Sequence, residues 1–509
     1  MDCMIKWASD SRRDGPCTHV LAGSDREELE MAYYVLNKGY RLRGWKGLPF
    51  GLTHPNPRLT DFFDKETYRV VYEMDGLHDI QEEKLSEAQK RMLDRLLKLE
   101  FAHLSDGKER LDPDQEYHRY PGMYKKSVQW SITGRCNYNC RHCFMSAPDY
   151  RGEDLSLEDS IRIINQLADN GIMNVSLTGG EPFVNPHFYE ILDALKEKGM
   201  ILETLYSNGK MVDEHLLDEL EKRGMHPAFH ISFDGLGWHD WLRGEKGAEE
   251  EAIRAFRLLK SRGYQISTSF CLHKHNINDL RKNINFLADL GLVHVKMNIA
   301  SPTGRWKNET EHFLSQEEAH KAILEYLPHY FEDGMPVSVQ LCTLLEINKD
   351  TGIMRVPARK YGGNEGSEKA FACGVVKDSM YISPTGKVLP CMTMGGTAID
   401  AKFDSMLERD LGDILADSYY RDMCLVKMGD CITHNEKCRD CRYRLMCGAG
   451  CRAAGCGETN TDYLSVDEDC CSFFLNGWYE KAQEAIEKYR DQLRAAAGSS
   501  KPIELSQDC

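Results

Sequence analysis

The sequence has no excess of positive charge and no long apolar run. Its 509 residues carry 64 Lys and Arg against 80 Asp and Glu, a formal net charge of -16 at pH 7. Phosphate binding requires a surplus of basic residues on at least one face, so nucleic acid is not an expected partner. No window approaches the roughly 18 apolar residues of a membrane helix, and the first residues contain no apolar run of signal-peptide length. We therefore expect a cytoplasmic protein with no membrane partner.

Cysteine, by contrast, is abundant, with 19 residues. In a reducing compartment these do not predict a disulfide framework, so metal ligation or redox chemistry is expected. The stretch CNYNCRHC places three thiols at Cys136, Cys140 and Cys143, and no fourth cysteine follows before Cys271. Three thiolates on a 4Fe-4S cluster leave one iron open to a small molecule. The alternative is a zinc site completed by His142 or by a distant residue.

Short β-rich runs alternate with amphipathic helices between residues 128 and 334. This pattern predicts six βα units and hence an α/β fold with a parallel sheet that curls into a partial (β/α)6, TIM-like barrel. The strand candidates are 128–133, 174–180, 202–209, 229–235, 265–273 and 293–300. Helix starts are predicted at Ser156, Asn276 and Ser315, each followed three positions later by an acidic residue. Glycines in the left-handed conformation are predicted to end the helices at Gly171, Gly199, Gly224, Gly263, Gly291 and Gly334.

Unusual motifs follow several of these strands. TGGEP (178–182), YSNG (206–209) and SFDG (232–235) each come at a strand end, as does the cysteine motif. In a barrel of parallel strands the chemistry gathers at the carboxyl ends, so we expect the four motifs to share one rim. Each motif alone is also compatible with an ordinary turn.

The regions before and after the predicted barrel have other sequence patterns. Residues 60–112 resemble a small winged-helix module, with YRVVYEMDG (68–76) as a strand and 86–105 as a helix that Ser86 and Gln89 cap. Residues 370–472 are short of apolar periodicity and dense in cysteine, and 473–497 read as a helix. The predicted domains are 1–115, 116–340, 341–480 and 481–509.

The motif CNYNCRHC resembles the signature of the radical S-adenosylmethionine superfamily, with His142 in the place of an aromatic residue. The resemblance implies that Cys136, Cys140 and Cys143 bind a 4Fe-4S cluster whose open iron chelates S-adenosylmethionine. Further implied contacts to this cosubstrate come from the strand ends. Gly179 and Gly180 allow close approach of its methionine part, Glu181 accepts from its amino group, Ser207 and Asn208 lie near its nucleoside, and Ser232 and Asp234 follow on the next strand end. Arg243 either neutralises its carboxylate or forms a surface ion pair.

The cysteines after residue 370 resemble the SPASM extension, which holds two auxiliary 4Fe-4S clusters. The resemblance assigns Cys438, Cys441, Cys447 and either Cys470 or Cys471 to the distal cluster, and Cys373, Cys391 and Cys451 to the nearer one. The family often has another cysteine shortly before the position of Cys373, and this sequence has none. Either Cys342, Cys424 or Cys431 completes the nearer cluster, or one of its irons is free. A zinc ribbon is the alternative, but it leaves Cys373 and Cys391 unexplained.

These resemblances imply an oxidoreductase-type radical enzyme with S-adenosylmethionine and three 4Fe-4S clusters that modifies a ribosomally synthesised peptide. Formation of an intramolecular thioether is the first choice; carbon–carbon cross-linking, epimerisation and formylglycine formation are the alternatives. The leader sequence of a precursor peptide is expected to add a strand to the N-terminal module. A flavodoxin or ferredoxin is the expected electron donor. An iron-sulfur or zinc binding module without turnover is the non-enzymatic alternative.

Overall fold

The computed structural model describes residues 31–145, 150, 152, 154–300, 302–360 and 362–496. The chain divides into two compact units, Met1–Tyr124 and Lys125–Cys509. The domain boundaries expected at 115, 340 and 480 stay predictions. Within the described residues, no helix combines the length and the apolar character that crossing a bilayer requires.

The first unit contains two small sheets and two helices. Its strands are β1 (Tyr33–Leu36), β2 (Arg41–Trp45), β3 (Leu48–Thr53), β4 (Thr60–Phe62), β5 (Asp75–Asp79), β6 (Ala102–Ser105) and β7 (His118–Arg119); its helices are α1 (Lys65–Tyr72) and α2 (Glu87–Lys98). The strands pair in the orders β5-β1-β6 and β4-β3-β2-β7. A single apolar core, which includes Leu52, Val71 and Leu96, joins the helices to strands of both sheets.

The prediction of a strand over 68–76 is wrong, because the chain is helical up to Tyr72. Asp64 caps α1 by accepting from the amide of Thr67, and the buried residues of the helix include Thr67, Tyr68, Val70 and Val71. Spacings of three and four place these side chains on one helical face, which outweighs the apparent alternation. The strand begins later, at Asp75. The winged-helix assignment stays a prediction.

The predicted capping of the second helix is confirmed. Ser86 accepts from the amide of Gln89, and the Gln89 side chain accepts from the amide of Ser86. The helix ends at Lys98 instead of continuing to 105, and β6 follows it.

The second unit is built on one large sheet. Its strands are β8 (Ser127–Ser131), β9 (Asn174–Thr178), β10 (Ile201–Ser207), β11 (Ala228–Ile231), β12 (Ile266–Leu272), β13 (His294–Ile299), β14 (Ser338–Leu341), β15 (Leu345–Asn348), β16 (Ile353–Arg355), β17 (Ser379–Ile382) and β18 (Val388–Leu389). The order is β16-β15-β14-β13-β12-β11-β10-β9-β8-β17-β18, and β8 to β13 are parallel neighbours in chain order. All six predicted barrel strands are therefore confirmed, as is the α/β partial barrel.

Helices connect and follow these strands. They are α3 (Leu157–Asp169), α4 (Phe188–Glu197), α5 (Glu214–Lys222), α6 (His239–Arg243), α7 (Ala248–Ser261), α8 (Leu280–Asp289), α9 (Gln316–Glu332), α10 (Gly374–Asp378), α11 (Leu411–Ala416), α12 (Ser418–Cys424), α13 (Met428–His434), α14 (Glu436–Arg439), α15 (Arg444–Cys447), α16 (Arg452–Cys456), α17 (Glu468–Leu475) and α18 (Trp478–Ala496). The cysteine-rich part thus contains a series of short helices. The helix predicted over 473–497 is in fact two helices, separated at Gly477, which has a φ of 76°.

The helix boundaries predicted from the sequence are mostly confirmed. Ser156 and Ser315 cap α3 and α9 as expected, and the six glycines expected to end helices all have positive φ. A 3-10 turn, Ile277–Asp279, begins after Asn276 as expected and leads into α8, but the Asn276 side chain makes no capping hydrogen bond; it binds the chain around β12 instead. Two parallel strands were also not foreseen: β14 extends the barrel beyond β13, and β17 pairs with β8 at the other side.

Candidate active site

The three thiols of CNYNCRHC lie together directly after β8. Cys136, Cys140 and Cys143 pack in one cluster with Tyr138 and Ala248. Burial raises the pKa of Cys136 to about 12 and also raises the pKa of Cys140. Such thiols do not ionise readily by themselves, but a bound metal deprotonates a coordinating thiol. The donor set is soft sulfur, and this fits an iron-sulfur cluster.

The two glycines of TGGEP lie against the cysteine loop. A Cβ on Gly180 would be 2.1 Å from the carbonyl oxygen of Arg135, and one on Gly179 would be 2.7 Å from that of Thr133. The amides of Gly180 and Glu181 donate to these same carbonyl oxygens, of Thr133 and Arg135 respectively, both at 2.9 Å. The end of β9 therefore supports the cysteine loop through its backbone, and side chains at these glycines would push the loop away.

Glu181 links two of the predicted strand ends. One carboxylate oxygen accepts from the hydroxyl of Ser207 at 2.9 Å, and the other accepts from the amide of Asn208 at 2.8 Å. Burial raises the pKa of Glu181 to about 7, although these hydrogen bonds act in the opposite direction. The Asn208 side chain in turn donates to Asn137 in the cysteine loop at 2.7 Å. The motifs TGGEP, YSNG and CNYNCRHC thus form one continuous polar network.

Asp234 and Arg243 form a buried ion pair beside the same loop. The guanidinium Nε of Arg243 lies 2.7 Å from Oδ2 of Asp234, and its Nη1 lies 3.9 Å from Sγ of Cys140. Burial opposes ionisation of Asp234, but the charge of Arg243, the hydrogen bond with His239 and the nearby charge of His142 together outweigh it and hold the pKa of that carboxyl well below its usual range. The surface ion pair considered for Arg243 is therefore wrong. The amide of Ser232 donates to the Ser207 carbonyl, which keeps this strand end beside YSNG.

Cys271 and Asn276, which had no expected role in cosubstrate binding, complete this region together with His142, the candidate zinc ligand. His142, Asp234 and Cys271 bring their ligand atoms within 4.8 Å of one another. Asn276 donates to the carbonyl oxygens of Asp234 and Cys271, at 3.0 and 2.8 Å. The failed helix cap at Asn276 was the one sequence signal for this side chain. Because it ties the end of β11 to β12, it supports the Asp234 loop from behind.

The three cysteines expected to bind the nearer auxiliary cluster lie within electrostatic range of one another's thiols at Cys391, and their role as ligands stays a prediction. The thiols of Cys373, Cys391 and Cys451 are close enough for Cys391 to interact electrostatically with both others. Burial raises the pKa of Cys391 to about 11. As at the first site, three soft donors in one place fit an iron-sulfur cluster.

The distal auxiliary set also comes together. Cys438 interacts electrostatically with Cys447, Cys471 and Cys441, and burial raises the pKa of Cys438 to about 11. Cys470 instead hydrogen-bonds Cys447 and has neither Cys438 nor Cys441 among its leading interactions. Cys471 therefore has more thiols of this set among its neighbours than Cys470 has, and the choice between them as fourth ligand stays a prediction.

A tight loop separates the two auxiliary sets. Between Cys447 and Cys451, the residues Gly448, Ala449 and Gly450 all have positive φ, of 55°, 57° and 76°. The buried Arg452 donates to the carbonyl oxygens of all three. This side chain therefore fixes the loop that carries one ligand of each set.

Models of two protein families match this chain, one around the first cysteine motif and one in the cysteine-rich part. The model of the radical SAM superfamily matches residues 130–287, and the model of the SPASM iron-sulfur cluster-binding domain matches residues 373–442. The first match contains the cysteine loop, TGGEP, YSNG, Asp234 and Arg243.

Two curated relatives differ in what their names describe. The antilisterial bacteriocin subtilosin biosynthesis protein AlbA of Bacillus subtilis is 28% identical over 296 residues, 57% of this chain and 57% of AlbA. The AdoMet-dependent heme synthase of Methanosarcina barkeri is 26% identical over 358 residues, 67% of this chain and 95% of that protein. The chain thus matches little more than half the length of AlbA.

Among solved structures, SuiB of Streptococcus suis bound to S-adenosylmethionine matches with a TM-score of 0.59 at 17% identity. The match covers 85% of this chain and 99% of SuiB. SuiB bound to its precursor peptide SuiA has a TM-score of 0.58 at the same identity. This likeness shows the fold. The chain contains a radical SAM superfamily domain, followed by a SPASM iron-sulfur cluster-binding domain.

Proposed function

We propose that the protein modifies a ribosomally synthesised precursor peptide, and that its product is an intramolecular thioether. The observation that carries this proposal is the separate unit 31–124 ahead of the radical SAM domain, with its own core and an open sheet border. AlbA, a bacteriocin biosynthesis protein, and SuiB, seen with a precursor peptide, support a peptide substrate. A formylglycine-forming enzyme has no evident need for such a unit.

The residues of the site would hold the cofactors as follows. Cys136, Cys140 and Cys143 would bind the first cluster, and Glu181 would accept from the amino group of S-adenosylmethionine. When bound, the cosubstrate and its cluster supply a 5'-deoxyadenosyl radical that removes a hydrogen atom from the substrate, and the auxiliary clusters supply an acceptor for the electron that cross-linking releases. Ser207 and Asn208 hold the Glu181 carboxylate in place.

The leader sequence would dock on β6. The border strand β5 is obstructed, since Asp75 accepts from the amides of Leu77 and His78, and Arg110 donates to the carbonyl of Gly76. On the other side of the sheet, β6 pairs with β1, and no other backbone hydrogen bond to Ala102–Ser105 occurs in the described part of the chain. Leu104 on this strand is 49% exposed. An added strand would pair with this border and cover that side chain.

The docking step can be tested without turnover. Leu104→Asp should weaken binding of a fluorescent leader peptide about tenfold, because it replaces an apolar contact with a charge. Leu59→Asp is the matched control: Leu59 is 44% exposed but lies before β4, on the other sheet. Equal binding by both variants would place the leader elsewhere.

The reaction is tested by anaerobic incubation of the reconstituted enzyme with S-adenosylmethionine, a reductant and a precursor peptide encoded nearby. A thioether or carbon–carbon cross-link lowers the peptide mass by two hydrogens, and blocking the cysteine thiol beforehand prevents only the thioether. Epimerisation leaves the mass unchanged in water and adds deuterium in heavy water. Conversion of a cysteine to formylglycine removes its sulfur and two hydrogens from the peptide and adds one oxygen.

Heme synthesis is a second candidate, because the M. barkeri heme synthase is matched over 95% of its length. The same assay with an iron porphyrin carrying propionate side chains separates the two. Turnover of the porphyrin with no change in any peptide would overturn the proposal. A reduced flavodoxin or ferredoxin is proposed as the donor, and 5'-deoxyadenosine release driven by either protein would support that part.

A further inference from the structure

We propose that Cys424 is the fourth thiolate ligand of the nearer auxiliary cluster, and that Lys125 is the buried cation that balances the charge of that cluster. The three cysteines expected there are Cys373, Cys391 and Cys451, which leaves one iron without a protein ligand. Cys424 ends α12 and is 1% exposed. The amide of Ala372, next to Cys373, donates to the carbonyl oxygen of Val426, two residues after Cys424, at 2.7 Å, and the thiols of Cys424 and Cys373 interact electrostatically.

The other candidate thiols lie elsewhere. Cys342 is buried at the end of β14, where it interacts with Cys271 of the barrel. Cys431 contacts Arg452, whose Nη1 lies 3.2 Å from its Sγ, and its one interacting cysteine is Cys447 of the distal set. Of the three thiols left open by the sequence, Cys424 alone has a thiol of the nearer set among its leading interactions.

A second observation points to a ligand at this position. The hydroxyl of Tyr420, one helical turn before Cys424, is buried, and the thiol of Cys424 is the hydrogen-bonding group beside it. The hydroxyl also lies within electrostatic range of Cys391. A buried hydroxyl requires an acceptor, and a cluster bound by Cys391 and Cys424 would offer it a thiolate sulfur.

Lys125 supplies the third observation. Its ammonium is 1% exposed and donates to the carbonyl oxygens of Val376, at 2.5 Å, and Lys377, while lying 3.5 Å from Sγ of Cys424. Within the described residues no carboxylate lies at ion-pair distance from it. A buried charge requires a counter-charge, and four thiolates on a 4Fe-4S core provide a net negative one. The carboxylate of Asp378 and the thiol of Cys373 also lie within electrostatic range of this ammonium.

The assignment of Cys424 as a ligand does not depend on the proposed function. Only its consequence for the mechanism rests on that function. With Cys424 bound, the nearer cluster would have no open iron, so a substrate thiolate could not bind to it. The cluster would then accept an electron from the substrate without a bond to it.

The test measures cluster ligation without substrate. In full-length protein with Cys136, Cys140 and Cys143 replaced by alanine, only the auxiliary clusters remain, and we expect about eight irons per chain. Adding Cys424→Ala should remove about one iron on mild oxidation and produce the electron paramagnetic resonance signal of a three-iron cluster. Cys431→Ala, a buried helical thiol beside a cation, is the matched control and should keep all the iron.

A second measurement covers the possibility that Cys424→Ala disturbs folding. In the same background, Lys125→Met should keep its iron but lower the reduction potential of one auxiliary cluster, because a nearby positive charge favours the reduced state. Cyanide should leave the spectrum of the parent protein unchanged, because no iron is open. The assignment would be overturned if cyanide changes the spectrum of the parent protein, or if Lys125→Met leaves the reduction potentials unaltered. It would also be overturned if Cys431→Ala or Cys470→Ala, but not Cys424→Ala, gives a three-iron signal. None of these outcomes depends on a peptide substrate.

Discussion

The guanidinium of Arg243 binds the carboxylate of Asp234 at 2.7 Å and lies 3.9 Å from the thiol of Cys140. An ion pair of the barrel is thus in direct contact with the cluster motif. Asp234 also accepts from the amide of Cys271, at 3.0 Å, so the pair is fixed to two strand ends. Changes to this pair should therefore alter both folding stability and the cysteine loop.

The two partners of this pair are expected to be energetically coupled. Arg243→Leu leaves the Asp234 carboxylate buried and unpaired, and should lower the free energy of unfolding by about 3 to 5 kcal/mol. The double variant Arg243→Leu/Asp234→Asn should lose less than the sum of the two single variants. Urea denaturation of the four proteins measures this coupling, and strictly additive losses would contradict it.

Gly180→Ala should displace the cysteine loop, because the new Cβ would meet the Arg135 carbonyl oxygen at 2.1 Å. We expect the variant to lose the iron of one cluster and to release no 5'-deoxyadenosine. Gly374→Ala is the control, since a Cβ there meets nothing within 4 Å. Full iron content and normal cosubstrate cleavage in Gly180→Ala would show that the loop adapts.

Glu181 should make the cosubstrate-free protein less stable as the pH rises. Its pKa in the folded chain is about 7, above the usual 4.5, so the folded form holds the proton more tightly than the unfolded chain. The resulting stabilisation is complete below pH 4.5 and is lost as the pH rises to about 7, to an extent of up to about 3 kcal/mol. Glu181→Gln should lack this dependence, and the exposed Glu197→Gln should retain it. Parallel pH profiles for wild type and Glu181→Gln would contradict the prediction.

The protein should be more stable with glycine than with alanine at position 449. Its φ of 57° lies in the left-handed region, which costs a residue with a Cβ about 1 kcal/mol. Ala449→Gly is therefore expected to raise the free energy of unfolding by about that amount. Ala453→Gly, within α16, should lower it by a similar amount because glycine disfavours helix. Thermal denaturation of the two variants should show shifts of opposite sign.

Much of this protein could be predicted from local sequence. The six barrel strands and the helix-ending glycines follow from patterns only a few residues long. The segment 68–76 shows the limit of this approach, since YRVVYEMDG fits a strand and a helix equally well. The cap that Asp64 provides to α1 lies just outside the motif and decides between them.

By itself, the sequence determined the spacing of the thiols, and with it the family and the soft ligands on each short loop. The tertiary structure alone decided which distant groups meet them: Arg243 with Asp234, Asn276 with the end of β11, Cys471 instead of Cys470 beside Cys438, and Lys125 with Cys424 across 299 positions. Spacing along the chain fixes only contacts within a turn or two. Contacts between separate elements depend on how the sheet and helices pack, and no short motif records that packing.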